Sequence, residues 1–186
     1  YDATEPPQQP LQDPLDSALQ QGLISNAMVA ETVAQTHGLW QVRESIPLAQ
    51  AEAGLNVKHD IAVPISAMAA FVADTGAALA AAFPGVRMIT FGHLGDSNLH
   101  YNVQAPEGVD PAAFLQQHEA AINTLVLDAV HRVGGSISAE HGIGQLKRNI
   151  LPRYQSPVAL GMMRAIKQAL DPQNIMNPGK VLPDQA

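Results

Sequence analysis

The sequence predicts an α+β fold, an antiparallel sheet with helices packed on one of its faces. Three observations carry this. Residues 65–83, 111–133 and 157–170 repeat apolar side chains at helical spacing. Residues 86–103 alternate in the manner of a β-hairpin. Taken with shorter elements upstream, the order is strand–helix–strand–hairpin–helix, which suits a sheet covered on one side.

Taken in order, residues 1–14 carry four of the chain's fourteen prolines and read as an extended arm or linker. The remainder, 15–186, reads as one domain. A short helix is expected over 15–23, with Asp13-Pro14 as its start signal and Gly22 near its end. Residues 27–33 (AMVAETV) read as a strand. Leu39, Trp40, Val42 and Ile46 place a helix over about 35–51, which Pro47 kinks or restarts. Ile61–Val63 is a short strand closed by Pro64. The helix over 65–83 presents Ile65, Met68, Phe71, Val72 and Leu79 and stops at Pro84-Gly85. Asp110-Pro111 opens the next helix, which ends at Gly134-Gly135. Ser156-Pro157 opens the last, with Val158, Met162, Ile166 and Leu170 every four residues.

Composition narrows the chemistry. The chain has 186 residues, 46% hydrophobic and 15% charged, an ordinary globular balance. Lys+Arg is 10 against Asp+Glu 17, and no basic run occurs, so nucleic-acid binding has no electrostatic footprint. Zero cysteines exclude disulfides, thiolate catalysis and cysteine-held zinc or iron–sulfur clusters. Any metal is therefore held by His, Asp and Glu, and seven histidines are available. The chain starts at Tyr1, and no signal peptide or apolar stretch of ~18 residues follows, the pattern of a segment excised from something longer.

The most informative stretch is FGHLGDSNLHYNV, residues 91–103. A two-residue turn at Asp96-Ser97 makes His93 and His100 direct cross-strand partners on one face, with Asn102 on the same face. Two imidazoles so fixed form half of a metal site. The plain alternative is a pair of polar residues on a solvated sheet face. Ser97 resists positive φ, so a longer turn and a different pairing remain open. The second stretch is GGSISAEHGIG, residues 134–144, with four glycines in eleven residues. Adjacent Glu140 and His141 share one site only if the backbone leaves regular strand geometry. Glu140 with His93 and His100 would make a two-His, one-carboxylate set suited to Zn²⁺, Mn²⁺ or Fe²⁺, leaving His141 as general base. An incidental Glu-His pair in a glycine-rich turn is the alternative.

HLGDSNLHYNV, then SAEHGIGQLKR about forty residues later, then DPQNIMNPGKVLP, in that order, resemble the C-terminal domain of FAD-linked oxidases. This flavoprotein group contains D-lactate dehydrogenases, the glycolate oxidase flavin subunit and D-2-hydroxyglutarate dehydrogenases. The resemblance extends upstream through GLISNAMVAETVAQTHGLWQVRES and NVKHDIAVP and covers about residues 15–183. It implies a ferredoxin-like substrate domain in which His93, His100 and Glu140 bind a divalent metal and His141 is the catalytic base. It implies that Arg43 and Lys58 grip the substrate's carboxylates, that Asn102 is a polar substrate contact, and that Asn177 approaches the flavin. Without it, Arg43 reads as a surface ion pair with Glu44 or a neighbour, and Lys58 as a solvated loop charge. Two positions depart from the family pattern: Pro47 stands where hydroxyglutarate-type enzymes carry a substrate-contacting threonine, and Ser97 replaces the usual turn glycine.

The resemblance implies FAD held mainly by a domain absent from this chain, and oxidation of a small 2-hydroxy acid to the 2-oxo acid. Its implied partners are that acid, the FAD-binding domain, and a second copy or an electron-acceptor protein. The expected location is cytoplasmic, peripheral to the membrane through the acceptor. Two other readings stay open: a metal-dependent hydrolase on the same His/His/Glu set, and a non-enzymatic ferredoxin-like binding module.

Overall fold

The computed structural model describes residues 11–183, and its contacts divide the chain into two units at Glu52/Ala53. The described part of the first unit is helical: α1 (Gln12–Gln20), α2 (Val33–Glu44) and α3 (Ile46–Glu52). Most of the expected proline-rich arm lies outside the described residues, but residues 12–14 are corrected to helix. Pro14 falls in the first turn of α1, where no intrahelical N–H is lost. Residues 27–33 are also corrected, since 24–31 form no strand. Thr32 and Gln35 close a capping box, with Thr32 Oγ1 accepting the Gln35 N–H and Gln35 Oε1 accepting that of Thr32. That cap turns the end of the apolar run into the start of α2. Pro47 restarts the helix as expected. Ser45 ends α2, and Pro47 takes the second position of α3, where it costs no helix bond.

The second unit is built on a four-stranded antiparallel sheet around β4 (Asn98–Gln104). β3 (Arg87–His93) pairs along one edge of β4, while β1 (Asn56–Val57) and β2 (Asp60–Ala62) share the other. The fold is therefore α+β. Leu99, Tyr101 and Val103 of β4 enter the core with Phe71 and Leu79 of α4 (Ile65–Ala82) and Ile122, Val126 and Val130 of α5 (Pro111–Arg132). Tyr101 meets Phe71 edge to face, ring centroids 5.7 Å apart. The expectation of no apolar stretch of that length is corrected at α4, whose 18 residues are by length and composition apolar enough to cross a membrane; here Met68, Phe71 and Leu79 are buried in the core of this unit. Asp110 caps α5 through the Ala112 and Ala113 N–H groups, with Pro111 at its first position. Two further helices, α6 (Leu151–Tyr154) and α7 (Pro157–Leu170), complete the described elements. Ser156 Oγ caps α7 by accepting the Ala159 N–H. The outer stripe of α7, Val158, Met162, Ile166 and Leu170, is exposed rather than core.

The hairpin turn holds four residues, not two. Leu94–Asp96 make a single 3-10 turn, and Ser97 takes the left-handed conformation at φ 59°. The register therefore pairs His93 with Asn98 and Phe91 with His100, which corrects the expected direct pairing of His93 with His100. The slip is an even number of residues, so no side chain changes face. Gly92 is demanded by the packing, since a Cβ there would lie 2.3 Å from the Asn98 carbonyl oxygen.

His59, between β1 and β2, is 2% exposed, and its Nδ1 donates to the Tyr101 carbonyl at 2.7 Å. Burial lowers its pKa to about 4. The unfolded chain takes up a proton below its ordinary pKa near 6.5, whereas the folded chain does not until about 4. Stability should thus fall as pH drops through this window, by up to about 3 kcal/mol at about 1.4 kcal/mol per unit. Urea melts across the window should show this slope, and His59→Gln should flatten it. An unchanged slope in the variant would assign it elsewhere.

Candidate functional site

Polar residues occupy the second face of β4: Asn98, His100, Asn102 and Gln104 alternate with the core residues, as period two requires. Asp60 of β2 lies directly opposite His100, and Phe91 of β3 lies opposite it on the other side. The Phe91 and His100 rings are 4.9 Å apart and buttress each other. His93 lies one diagonal step away on the same face, within reach of long or aromatic side chains.

The Glu-His loop comes down onto this face because β2 holds it at several points. Ser136 exchanges two backbone hydrogen bonds with Ala62, at 2.8 and 3.0 Å. Gly135 permits that approach, since a Cβ there would sit 2.4 Å from the Ala62 carbonyl oxygen. Beyond the bridge, the Asp60 carboxylate accepts the backbone N–H groups of Ala139 at 3.1 Å, Glu140 at 3.0 Å and His141 at 2.9 Å. Burial works to raise the Asp60 pKa, but these three donors outweigh it and hold the carboxyl below its usual range. Lys147 fastens the loop from the other side, its Nζ donating to the carbonyls of Ile137 at 2.6 Å and Asp60 at 3.4 Å. Burial pushes the Lys147 ammonium pKa down, and the Asp60 charge offsets part of that.

Four candidate residues thereby meet. Glu140 Oε1 lies 3.3 Å from His93 Nδ1, and Oε2 lies 3.7 Å from His100 Nε2. The His141 ring stacks near His100, centroids 6.0 Å apart, and is 71% exposed. Gly142, at φ 73°, lets the chain leave strand geometry directly after the Glu-His pair. Donor atoms of Asp60, His100 and Glu140 lie within 4.8 Å of one another, and His93 joins through Glu140. Imidazole nitrogens and carboxylate oxygens converging in this way could hold a metal ion.

Asp60 is the residue that sequence reasoning missed. Its signal was present in NVKHDIAVP: an acidic residue at the edge of an apolar strand is out of place unless something on that face needs it. Asn98 is buried opposite His93 with both side-chain amide atoms unpartnered. Of the other expected site residues, Asn102 is buried on the His100 face, and its Oδ1 accepts the His59 N–H at 3.1 Å. Lys58 is exposed between β1 and β2. Arg43 lies in the last turn of α2, in the first unit. Asn177 is exposed in the C-terminal tail, in a left-handed conformation at φ 48°.

The tail is tied to the loop after His141. Val181 N–H donates to the Gly144 carbonyl at 2.8 Å, Arg148 Nη1 to that of Gly179 at 2.9 Å, and Lys180 Nζ to Gln145 Oε1 at 2.8 Å. Asp171 fixes the start of the tail. It pairs with Lys167 and accepts the N–H groups of Ile175 at 3.0 Å and Met176 at 2.9 Å. A cavity of 590 Å³ lies between the tail and α7, lined by Met163, Ile166, Met176, Asn177 and Leu182 among others.

The family model for the C-terminal domain of FAD linked oxidases matches residues 4–181, and the chain belongs to that family. A D-2-hydroxyglutarate dehydrogenase of Xanthomonas citri pv. viticola is 40% identical over 166 residues, covering 89% of this chain and 35% of the relative. Its counterpart in Stutzerimonas stutzeri is 34% identical, with the same coverages. The mitochondrial D-2-hydroxyglutarate dehydrogenase of Arabidopsis thaliana is 36% identical over 89% of this chain and 28% of its own length. The chain thus spans about a third of the length of these relatives.

The tail geometry makes a pH prediction. The Lys167 contact, with help from two backbone N–H groups, holds the Asp171 carboxyl below its usual range. Its contribution is complete above the unfolded value, about 3.9, and is lost as pH falls through the lower folded value. Amide resonances of Ile175 and Met176 should stay in their docked positions down to about that pH and shift below it. Asp171→Asn should show the shifted positions at neutral pH; docked resonances in the variant would refute the anchor.

Proposed function

We propose that this chain is the substrate- and metal-binding portion of an FAD-dependent dehydrogenase that oxidises a 2-hydroxy acid to the 2-oxo acid. The observation that carries the reading is the placement of Glu140 between His93 and His100, with His141 next to it on the same loop. His93, His100 and Glu140 would hold the divalent cation. When bound, the cation would polarise the substrate hydroxyl and the flavin would accept the hydride from C2.

The chain's own residues supply the rest. His141, mostly exposed, takes the hydroxyl proton on its imidazole. Lys58 and Arg43 bind carboxylate, the guanidinium with a two-pronged fit that fixes orientation. Asn102 contributes a polar contact on the His100 face. Asn177 belongs to the tail that approaches the flavin. The flavin itself is held by a domain outside these 186 residues, which together with a second copy or an electron-acceptor protein makes up the expected partners. D-2-hydroxyglutarate, named for the relatives, is one candidate substrate beside D-lactate and glycolate, and Pro47 is the position at which this chain departs from the hydroxyglutarate pattern.

A hydrolase could use the same cation and base, and a binding module would need neither. A substrate panel on the flavin-containing protein, with an artificial acceptor and with or without chelator, separates them. Oxidation of a 2-hydroxy acid, lost with chelator, is expected; chelator-sensitive hydrolysis without oxidation would favour the hydrolase. His141→Asn should lower kcat by about 10²–10⁴-fold, the usual worth of a general base, while metal content stays constant. His93→Ala and Glu140→Ala should each lower metal content, and unchanged content would overturn the ligand set. The isolated 186-residue chain should be colourless and inactive; turnover without added flavoprotein would contradict the division of labour.

A further inference from the structure

One carboxylate faces two of the three histidines of the site, His100 and His141. Asp60 Oδ1 lies 3.9 Å from His100 Nδ1, and Asp60 Oδ2 lies 3.8 Å from His141 Nδ1. On His100 the other ring nitrogen, Nε2, is the one near Glu140, at 3.7 Å from Oε2. The His100 ring thus runs from Asp60 at one end to the ligand cluster at the other. We propose that Asp60 is a positioning residue shared by metal site and base: it draws the Nδ1 proton of both His100 and His141, so that each ring presents the Nε2 lone pair outward. His100 then offers Nε2 to the cation, and His141 offers Nε2 to the substrate hydroxyl.

Buried charge acts on both rings and spare acceptor capacity on His100 alone, since Oδ2, the oxygen facing His141, already accepts three backbone N–H groups and the Ser138 hydroxyl at 3.5 Å. The Asp60 side chain is 4% exposed, so its field is weakly screened. Oδ2 takes most of the backbone donors, those of Ala139, Glu140 and His141, whereas Oδ1 takes only a second, longer contact from Glu140 N–H at 3.2 Å. Oδ1 therefore keeps a lone pair for His100. Lys147 supplies the neighbouring positive charge without occupying that lone pair, because its Nζ donates to carbonyl oxygens of Ile137 and Asp60. At 3.8–3.9 Å both imidazole contacts are electrostatic rather than full hydrogen bonds. A carboxylate that fixes the tautomer of a ligand histidine, or of a base histidine, is a recurrent device; here one carboxylate serves both.

The inference rests on the metal and base roles proposed above, and its test is built to fail separately from them. Long-range ¹H–¹⁵N spectra of the metal-free, ¹⁵N-histidine-labelled chain, at a pH where the imidazoles are neutral, report the tautomers directly. Wild type should show His100 and His141 protonated on Nδ1. Protonation on Nε2 in both would overturn the proposal without any variant. Asp60→Asn should shift both rings toward the Nε2–H tautomer and speed exchange of the Ala139, Glu140 and His141 amides. In the flavin-containing protein it should weaken Zn²⁺ binding by about 10–100-fold, the usual cost of losing such a partner. Lys147→Met loosens the loop but leaves the carboxylate, so its His100 should remain Nδ1–H; a shift as large as in Asp60→Asn would mean packing, not charge, sets the tautomer. Weakened Zn²⁺ binding with unchanged tautomers would make Asp60 a direct ligand instead and would also overturn it. If the tautomers behave as stated but no 2-hydroxy acid is oxidised, the positioning role stands and the functional reading falls.

Discussion

The site depends on a single constraint, the seating of residues 139–141 against the Asp60 carboxylate. Three successive N–H groups turned inward onto one carboxylate fix the backbone of the Glu-His pair. Charge-assisted hydrogen bonds of this kind are stronger than neutral ones. The Ser136–Ala62 bridge and the Lys147 contacts confine the same loop before and after the pair. Glu140 therefore reaches His93 and His100 although neighbouring residues in regular strand geometry would diverge.

The sheet makes that seating useful, because β4 carries two different surfaces. One holds Leu99, Tyr101 and Val103 and supplies the core of the second unit; the other holds Asn98, His100 and Asn102. Burying polar side chains on the second face is tolerable where partners exist, as the Asn102 contact to the His59 N–H illustrates. The core side anchors the strand against α4 and α5, so the polar side is presented from a rigid support. Precise placement of this kind is what ligand and proton-transfer geometry require.

Three motifs that lie far apart in the sequence become one structure. The hairpin gives His93 and His100, the glycine-rich loop gives Glu140 and His141, and the NPGK tail is bonded to that loop through Gly144, Gln145 and Arg148. The loop is the common element, touching the sheet at one end and the tail at the other. A change in the tail's anchoring at Asp171 thus has a short hydrogen-bonded route to the loop that carries Glu140 and His141.

The sequence by itself determined the fold class, the long helices with their Asp110 and Ser156 caps, and the single sheet face shared by His93, His100 and Asn102. These are legible because hydrophobic period, cap chemistry and strand alternation are local properties. Face assignment even survived the wrong turn length, since the register moved by two residues and period two is indifferent to that. The tertiary structure alone decided which residues oppose each other, and that residues 24–31 form no strand while Thr32 caps a helix. It also decided the role of Asp60, some eighty residues from the loop it holds. No periodicity reports a contact of that range. It exists because the Ser136–Ala62 bridge lays the loop beside β2, where the incoming backbone supplies donors that a buried carboxylate needs.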